Sequence, residues 1–118
     1  MTPDPMGRET RETLAAVVRL LQAAAAAVWQ DAVLDGPRSS RGLLGVGVYA
    51  ASGEVAALLP ADADLEGPQP LEQDPVQLLV AAEVLLGTIG VRQWPVGFSG
   101  VVVMVCDLVR EVRADAER

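Results

Sequence analysis

One glycine-rich stretch, residues 42–60, restricts the fold of this 118-residue chain more than any other segment. It reads GLLGVGVYA, then ASG, then EVAALLP, so that apolar residues alternate with glycine and tyrosine before a short turn and a second apolar run. Alternation is typical of a half-buried strand, and two apolar runs around a glycine-bearing turn predict a β-hairpin. The same alternation places Gly45 and Gly47 on one face of the first strand, where they leave a shallow groove.

This groove has two interpretations. In the first, it lets a helix or a neighbouring chain pack closely, and in the second it holds a small apolar ligand. The spacing of Gly42, Gly45 and Gly47 is G-x-x-G-x-G, which differs from the dinucleotide-binding pattern and does not open a helix. The candidate interface or ligand face consists of two glycines, Gly45 and Gly47, and three aromatic residues, Tyr49, Trp29 and Trp94.

The rest of the chain predicts three helices and a second hairpin after a proline-rich tail over residues 1–7. Asp74 followed by Pro75 is a strong helix start, because an acceptor side chain caps the helix and proline suits its first position. The predicted elements are a helix from Arg8 to about Leu34, a helix over 75–88, strands over 89–94 and 100–106, and a helix over 107–118.

These elements predict a single α+β domain over residues 8–118, in the order α-ββ-α-ββ-α. A small antiparallel sheet of about four strands would carry the helices. The succession of helix, hairpin and helix resembles that of the roadblock and profilin-like folds, which implies helices packed on an antiparallel sheet. Helix 75–88 and strand 100–106 are apolar on all sides, so we expect a second copy of the chain to cover part of their surface.

Composition excludes several classes of function. The net charge of −7 disfavours phosphate backbones and anionic lipid surfaces, and an aromatic content of 3% offers few stacking platforms for nucleic acid. All basic residues are arginine, and the chain lacks lysine, histidine and asparagine, which is typical of a high-GC bacterial gene. The apolar run 14–29 is interrupted by Arg19 and Gln22, so we expect neither a signal peptide nor a membrane span and a cytoplasmic location.

Two motifs approach known sites and then depart from them. Residues 62–67, DADLEG, match the first half of a calcium loop, but its twelfth position is Gln73 and prolines stiffen the second half. We therefore expect a solvated acidic loop and no metal. GFSG, residues 97–100, lacks the last glycine of a nucleophile elbow, so Ser99 is predicted to be a turn residue. Cys106 ends an apolar strand in a chain without histidine, which predicts a buried structural thiol.

Glu83 is the one candidate buried acid, because it lies in the middle of an apolar helix. A buried carboxylate of this kind is more often paired with an arginine, such as Arg92, than catalytic. Arg38 and Arg41 flank two serines in a loop and form a candidate anion site. No catalytic residue, cofactor site or metal site is assigned.

Three functions remain open on the sequence. The leading hypothesis is a small acidic protein without enzymatic activity that acts through protein contacts or homo-oligomeric assembly, as a scaffold, adaptor or regulatory subunit. The alternative is a domain that binds an apolar ligand on the Gly45 and Gly47 face. The third is an enzyme that uses the carboxylate of Glu83. We expect the chain itself and another protein as partners, and neither nucleic acid nor a membrane.

Overall fold

The computed structural model describes residues 7–33, 36 and 39–117, and the described residues contain four α-helices and no strand. Two of these helices confirm the sequence analysis. The first, α1, spans Arg8–Asp31, and the third, α3, spans Pro75–Gly87. The predicted cap of α3 is present, because Asp74 Oδ1 accepts a hydrogen bond from Val76 N at 3.0 Å. The predicted tail over 1–7 lies outside the described residues except for Gly7, which precedes α1.

The predicted hairpin over 42–60 is wrong: Ser40–Ala56 forms a helix, α2. Ser39 caps it, with Oγ accepting from Gly42 N at 3.1 Å. The same segment also fits a helix with one buried face, provided that glycines such as Gly42 and Gly45 are included among the buried residues. The buried residues of α2 follow that face, at spacings of mostly three or four: Gly42, Gly45, Val48, Ala51, Ser52 and Val55.

The second predicted hairpin is wrong for a related reason. Residues 89–94 contain only a short 3₁₀ turn, Val91–Gln93, and the apolar run 100–106 is the first half of a long helix, α4, Phe98–Ala116. Valines favour strands, but packing of one helical face overrides that preference. The buried face of α4 continues on both sides of position 106, at Phe98, Val101, Val105, Leu108, Val109 and Val112. The α+β fold class and the resemblance to roadblock and profilin-like folds are therefore both wrong.

The four helices form a bundle in which α1 packs against α2 and α3, and α4 packs against the same two helices. Gly7 N donates to Gln93 Oε1 at 3.0 Å, so α1 begins where α3 has just ended. Gly97, at the start of α4, lies against Leu58, just beyond the end of α2. We call this the near end. At the opposite, far end, Arg41 of α2 meets Asp115 of α4. All neighbouring helices are thus antiparallel, in the order up, down, down, up.

Because α2 and α3 run in the same direction, the segment that joins them, residues 57–74, must travel the length of the bundle. It lies along α1. Arg19 Nη1 donates to Leu65 O at 3.2 Å and to Glu66 O at 3.4 Å, and Gly67 packs on the same guanidinium. Four-helix bundles with one long connection of this kind are a known variant of the up-and-down arrangement.

The core is aliphatic and is centred on α1, whose inward residues are fully enclosed: Leu14, Val17, Val18, Leu21, Ala24 and Ala25. Only one described helix, α1, is long and apolar enough to cross a membrane. A helix in the core of a bundle can meet the same criterion of length and composition. Within the bundle, 44% of that apolar window is buried.

Candidate functional site

Gly45 and Gly47 face different neighbours, because residues two apart in a helix point to nearly opposite sides. Gly45 is buried against α1, where a Cβ atom would overlap the indole Nε1 and Cδ1 of Trp29 and lie 2.9 Å from Cε2. Gly47 faces α4, with the Cδ2 atom of Leu108 at 3.5 Å from the position of a Cβ. The two glycines therefore do not line one groove. Instead, the indole of Trp29, on α1, packs directly on Gly45.

Trp29 holds the contact between α1 and α2. Its Nε1 donates to Gly42 O at 3.2 Å, and its ring lies against that of Tyr49, with centroids 5.7 Å apart. Both rings remain accessible, since Trp29 is 38% and Tyr49 is 54% exposed. The structure thus brings together three of the five residues of the predicted face, namely Gly45, Tyr49 and Trp29.

Beside this aromatic pair, the outward side of α2 presents an uncharged apolar stripe that sequence analysis missed. Its members are all exposed: Leu43, Val46, Ala50, Gly53 and Ala57, just past the end of the helix. Their spacing of three, four, three and four is that of the contact positions of a coiled coil. Leu43 is 60% and Val46 is 53% exposed. We call these five residues the α2 seam. The 3-4 spacing was visible in the sequence but required the segment to be taken as a helix.

Trp94, the fifth predicted residue, lies at the near end in the connection between α3 and α4. Its Nε1 donates to Ile89 O at 3.0 Å, and its ring packs on Phe98 with centroids 4.8 Å apart. Gly97 adopts a positive φ of 91° immediately before α4, a conformation suited to glycine. Trp94 therefore folds this connection back on itself and is not part of the surface around Trp29.

Glu83 and Cys106 face each other between α3 and α4, and both are half-buried. Burial raises the pKa of the Cys106 thiol above its usual value of 9.0, and its hydrogen bond to the carboxylate of Glu83 raises the pKa further. Within the part of the chain that the structure describes, Arg92 makes no ion pair with Glu83. Cys106 is less buried than predicted, and its raised pKa makes the thiol a weaker nucleophile at neutral pH. Ser99 lies in the first turn of α4 and not in a loop.

The charged loops have local partners. In the acidic segment, Asp64 Oδ1 accepts from Glu66 N at 2.9 Å, while the carbonyls of Leu65 and Glu66 accept from Arg19. No group of three or more acidic, cysteine or histidine residues that could hold a metal occurs among residues 7–33, 36 and 39–117. Arg38, half of the predicted anion site, lies outside the described residues. Arg41 Nε donates to Asp115 Oδ2 at 3.0 Å.

A small cavity of about 140 Å³ lies beside this ion pair at the far end of the bundle. Residues of all four helices line it, including Val28, Leu44, Val76 and Val112. Cavities that hold drug-sized ligands are at least about twice as large, at about 300–1,000 Å³. No family model, curated protein or solved structure matches this chain.

Proposed function

We propose that this protein acts without catalysis, by binding another polypeptide through the α2 seam and the adjoining rings of Trp29 and Tyr49. One observation carries the proposal. The seam is an apolar stripe of coiled-coil spacing, from Leu43 to Ala57, that no other part of the described chain covers. Contiguous exposed apolar surface of this kind is typical of interaction sites.

The surroundings of the seam support the same function. Tyrosine and tryptophan contribute more than their share of binding energy in protein interfaces, because their large rigid rings lose little conformational freedom on binding. Here the two rings stand at the border of the seam, held by the Trp29 hydrogen bond to Gly42. They are therefore positioned before a partner arrives, which lowers the entropic cost of association.

The alternative of an apolar ligand on the glycine face loses its basis, because Trp29 covers Gly45 and Leu108 lies against Gly47. For the enzyme hypothesis, the neighbour of Glu83 is the thiol of Cys106, whose raised pKa disfavours the thiolate that a nucleophile requires. We retain the cytoplasm as the proposed location.

Photo-crosslinking in cells that express the full chain tests the proposal. A photoreactive phenylalanine derivative replaces Tyr49, an aromatic-for-aromatic change beside the seam, and in a control it replaces Val103, which is 60% exposed on α4. We expect covalent protein adducts from position 49 and few from position 103. Mass spectrometry of the adducts identifies the partner, whether this chain or another protein. Equal or no adduct formation at the two positions would contradict the proposal.

A further inference from the structure

We infer that the occupant of the α2 seam is a second copy of this chain, with the two α2 helices antiparallel about a twofold axis near Ala50. The inference rests on the proposed function, because it names the partner for the same surface. A twofold interface requires one surface to be complementary to itself. The α2 seam has that property in one orientation.

The size of the seam residues decreases along the helix, from Leu43 and Val46 through Ala50 to Gly53 and Ala57. An antiparallel pairing centred on Ala50 places Leu43 level with the partner's Ala57, and Val46 within one residue, about 1.5 Å along the axis, of the partner's Gly53. Each large side chain then meets a small one, as the interdigitation of packed helices requires. A parallel pairing would set leucine against leucine at one end, and glycine against glycine and alanine against alanine towards the other, which leaves a gap there.

Gly53 provides a second observation. The other two glycines in the interior of α2 have neighbours inside the chain, since Gly45 meets Trp29 and Gly47 meets Leu108. A Cβ atom at Gly53 would meet nothing within 4 Å, so no contact within the described chain requires glycine there. In the antiparallel pair, Gly53 provides the space that the partner's Val46 occupies.

Charge and aromatic placement favour the same orientation. Glu54 borders the seam, and centring the pair on Ala50 separates the two Glu54 residues by about 12 Å along the axis, beyond a Debye length at physiological salt. A parallel pair would hold these like charges at one level. Tyr49 is one residue from the centre, so the two tyrosines are offset by only about 3 Å along the axis. Antiparallel helices also oppose their macrodipoles.

The first experiment measures the mass of the purified full chain by light scattering and sedimentation over a wide concentration range. We expect a dimer. Val46→Glu should raise its dissociation constant about a hundredfold or more, because each dimer would bury two unpaired carboxylates. Val103→Glu, the same substitution at a similarly exposed site, should leave the constant unchanged. Circular dichroism verifies that both variants keep their helices.

The second experiment determines orientation by cysteine crosslinking in a Cys106→Ser background with a short bifunctional reagent. Ala50→Cys should crosslink efficiently. Leu43→Cys should not, since antiparallel pairing separates the two copies of residue 43 by about 21 Å along the axis. Crosslinking at both positions would overturn the antiparallel arrangement, and a dimer that crosslinks at neither would overturn the use of the seam.

A monomer at every concentration would overturn the pairing of two copies. That result is distinguishable from failure of the proposed function, because adducts from position 49 with a different protein would still support an interaction surface. Loss of the position 49 adducts together with a monomeric chain would overturn both.

Discussion

The bundle consists of two helical hairpins, α1 with α2 and α3 with α4, and each uses one tryptophan in a different way. Trp29 and Trp94 both donate their indole N–H to a backbone carbonyl and both rest on another aromatic ring. Trp29, however, joins two helices and requires a glycine beneath its ring. Trp94 bonds a carbonyl five residues earlier and stabilises only the connection.

The difference is that the Trp29 contact requires a residue without a side chain on the facing helix, whereas the acceptor of the Trp94 hydrogen bond is a backbone carbonyl that any residue supplies. At the first hairpin, the indole of Trp29 occupies the space where Gly45 lacks a side chain. At the second hairpin, the half-buried pair of Glu83 and Cys106 lies between the helices instead. Substitutions at Trp29 and Gly45 should therefore be coupled to each other, whereas a substitution at Trp94 should be independent of both.

The largest effect is expected from Gly45→Leu. The new side chain must displace Trp29 and separate α1 from α2, so we expect the free energy of unfolding to fall by about 3 kcal/mol. Gly100→Leu is the matched control, because a Cβ at Gly100 meets nothing within 4 Å in an exposed first turn of α4. Urea denaturation measures both variants. Equal stability of the two would show that Gly45 is not a tight contact.

Trp29→Ala tests the coupling. Alone, it removes the hydrogen bond to Gly42 and the ring contact with Tyr49, and we expect a loss of about 2–3 kcal/mol. Combined with Gly45→Leu, it removes the atoms that the leucine would displace. The double variant should therefore be more stable than the sum of the two losses predicts, by at least about 1 kcal/mol. Strict additivity in a double-mutant cycle would contradict the direct contact.

Trp94→Phe tests the second hairpin. Phenylalanine keeps a ring against Phe98 but cannot donate to Ile89 O, so we expect a loss of about 1 kcal/mol. The result should be the same in wild-type and Gly45→Leu backgrounds, because the two sites lie at opposite ends of the bundle. Thermal unfolding measures this, and a strong background dependence would be inconsistent with independent hairpins.

Helices α1 and α3 and the second half of α4, predicted as a helix over 107–118, followed from local signals, whereas α2 and the first half of α4 did not. The Asp74-Pro75 start and the polar side of α1 are encoded within a few residues. In α2, alternation of glycine with valine fits a strand as well as a helix, and the choice depends on whether a neighbouring helix covers Gly45. In α4, the valines around 101–105 suggest a strand until the segment is extended past Cys106, where the helical period continues to Val112.

The candidate site was predictable in part. Trp29, Tyr49 and Gly45 belong together because aromatic rings and a glycine are typical of a close contact, and the structure places them so. Trp94 was assigned to the same face only by residue type, and nothing local indicated that it lies at the other end. Gly47 was misplaced because a strand puts residues two apart on one side, whereas a helix separates them.

The smallest effect concerns Cys106. Its raised pKa means that the unfolded thiol, which ionises near 9.0, loses its proton before the folded one. Near and above that pH the unfolded chain therefore binds fewer protons than the folded chain. The free energy of unfolding should fall as the pH rises, until the folded thiol also ionises. Glu83→Gln removes a charge that disfavours the thiolate, so alkylation by iodoacetamide at pH 8 should become faster. An unchanged alkylation rate would contradict the contact between the two residues.

The connection over residues 57–74 has a consequence for the tolerance of the chain to changes in length. Its ends are separated by roughly the length of α3, which is about 20 Å, and a fully extended chain covers that distance with only about six residues. The surplus lies along α1 under Arg19. Because the entropy of closing a loop grows only with the logarithm of its length, doubling the segment costs about 0.6 kcal/mol. Insertions in this segment should therefore change the free energy of unfolding very little. Progressive deletion should first remove the contacts with Arg19, and only the shortest segments should fail to span the distance between the two hairpins.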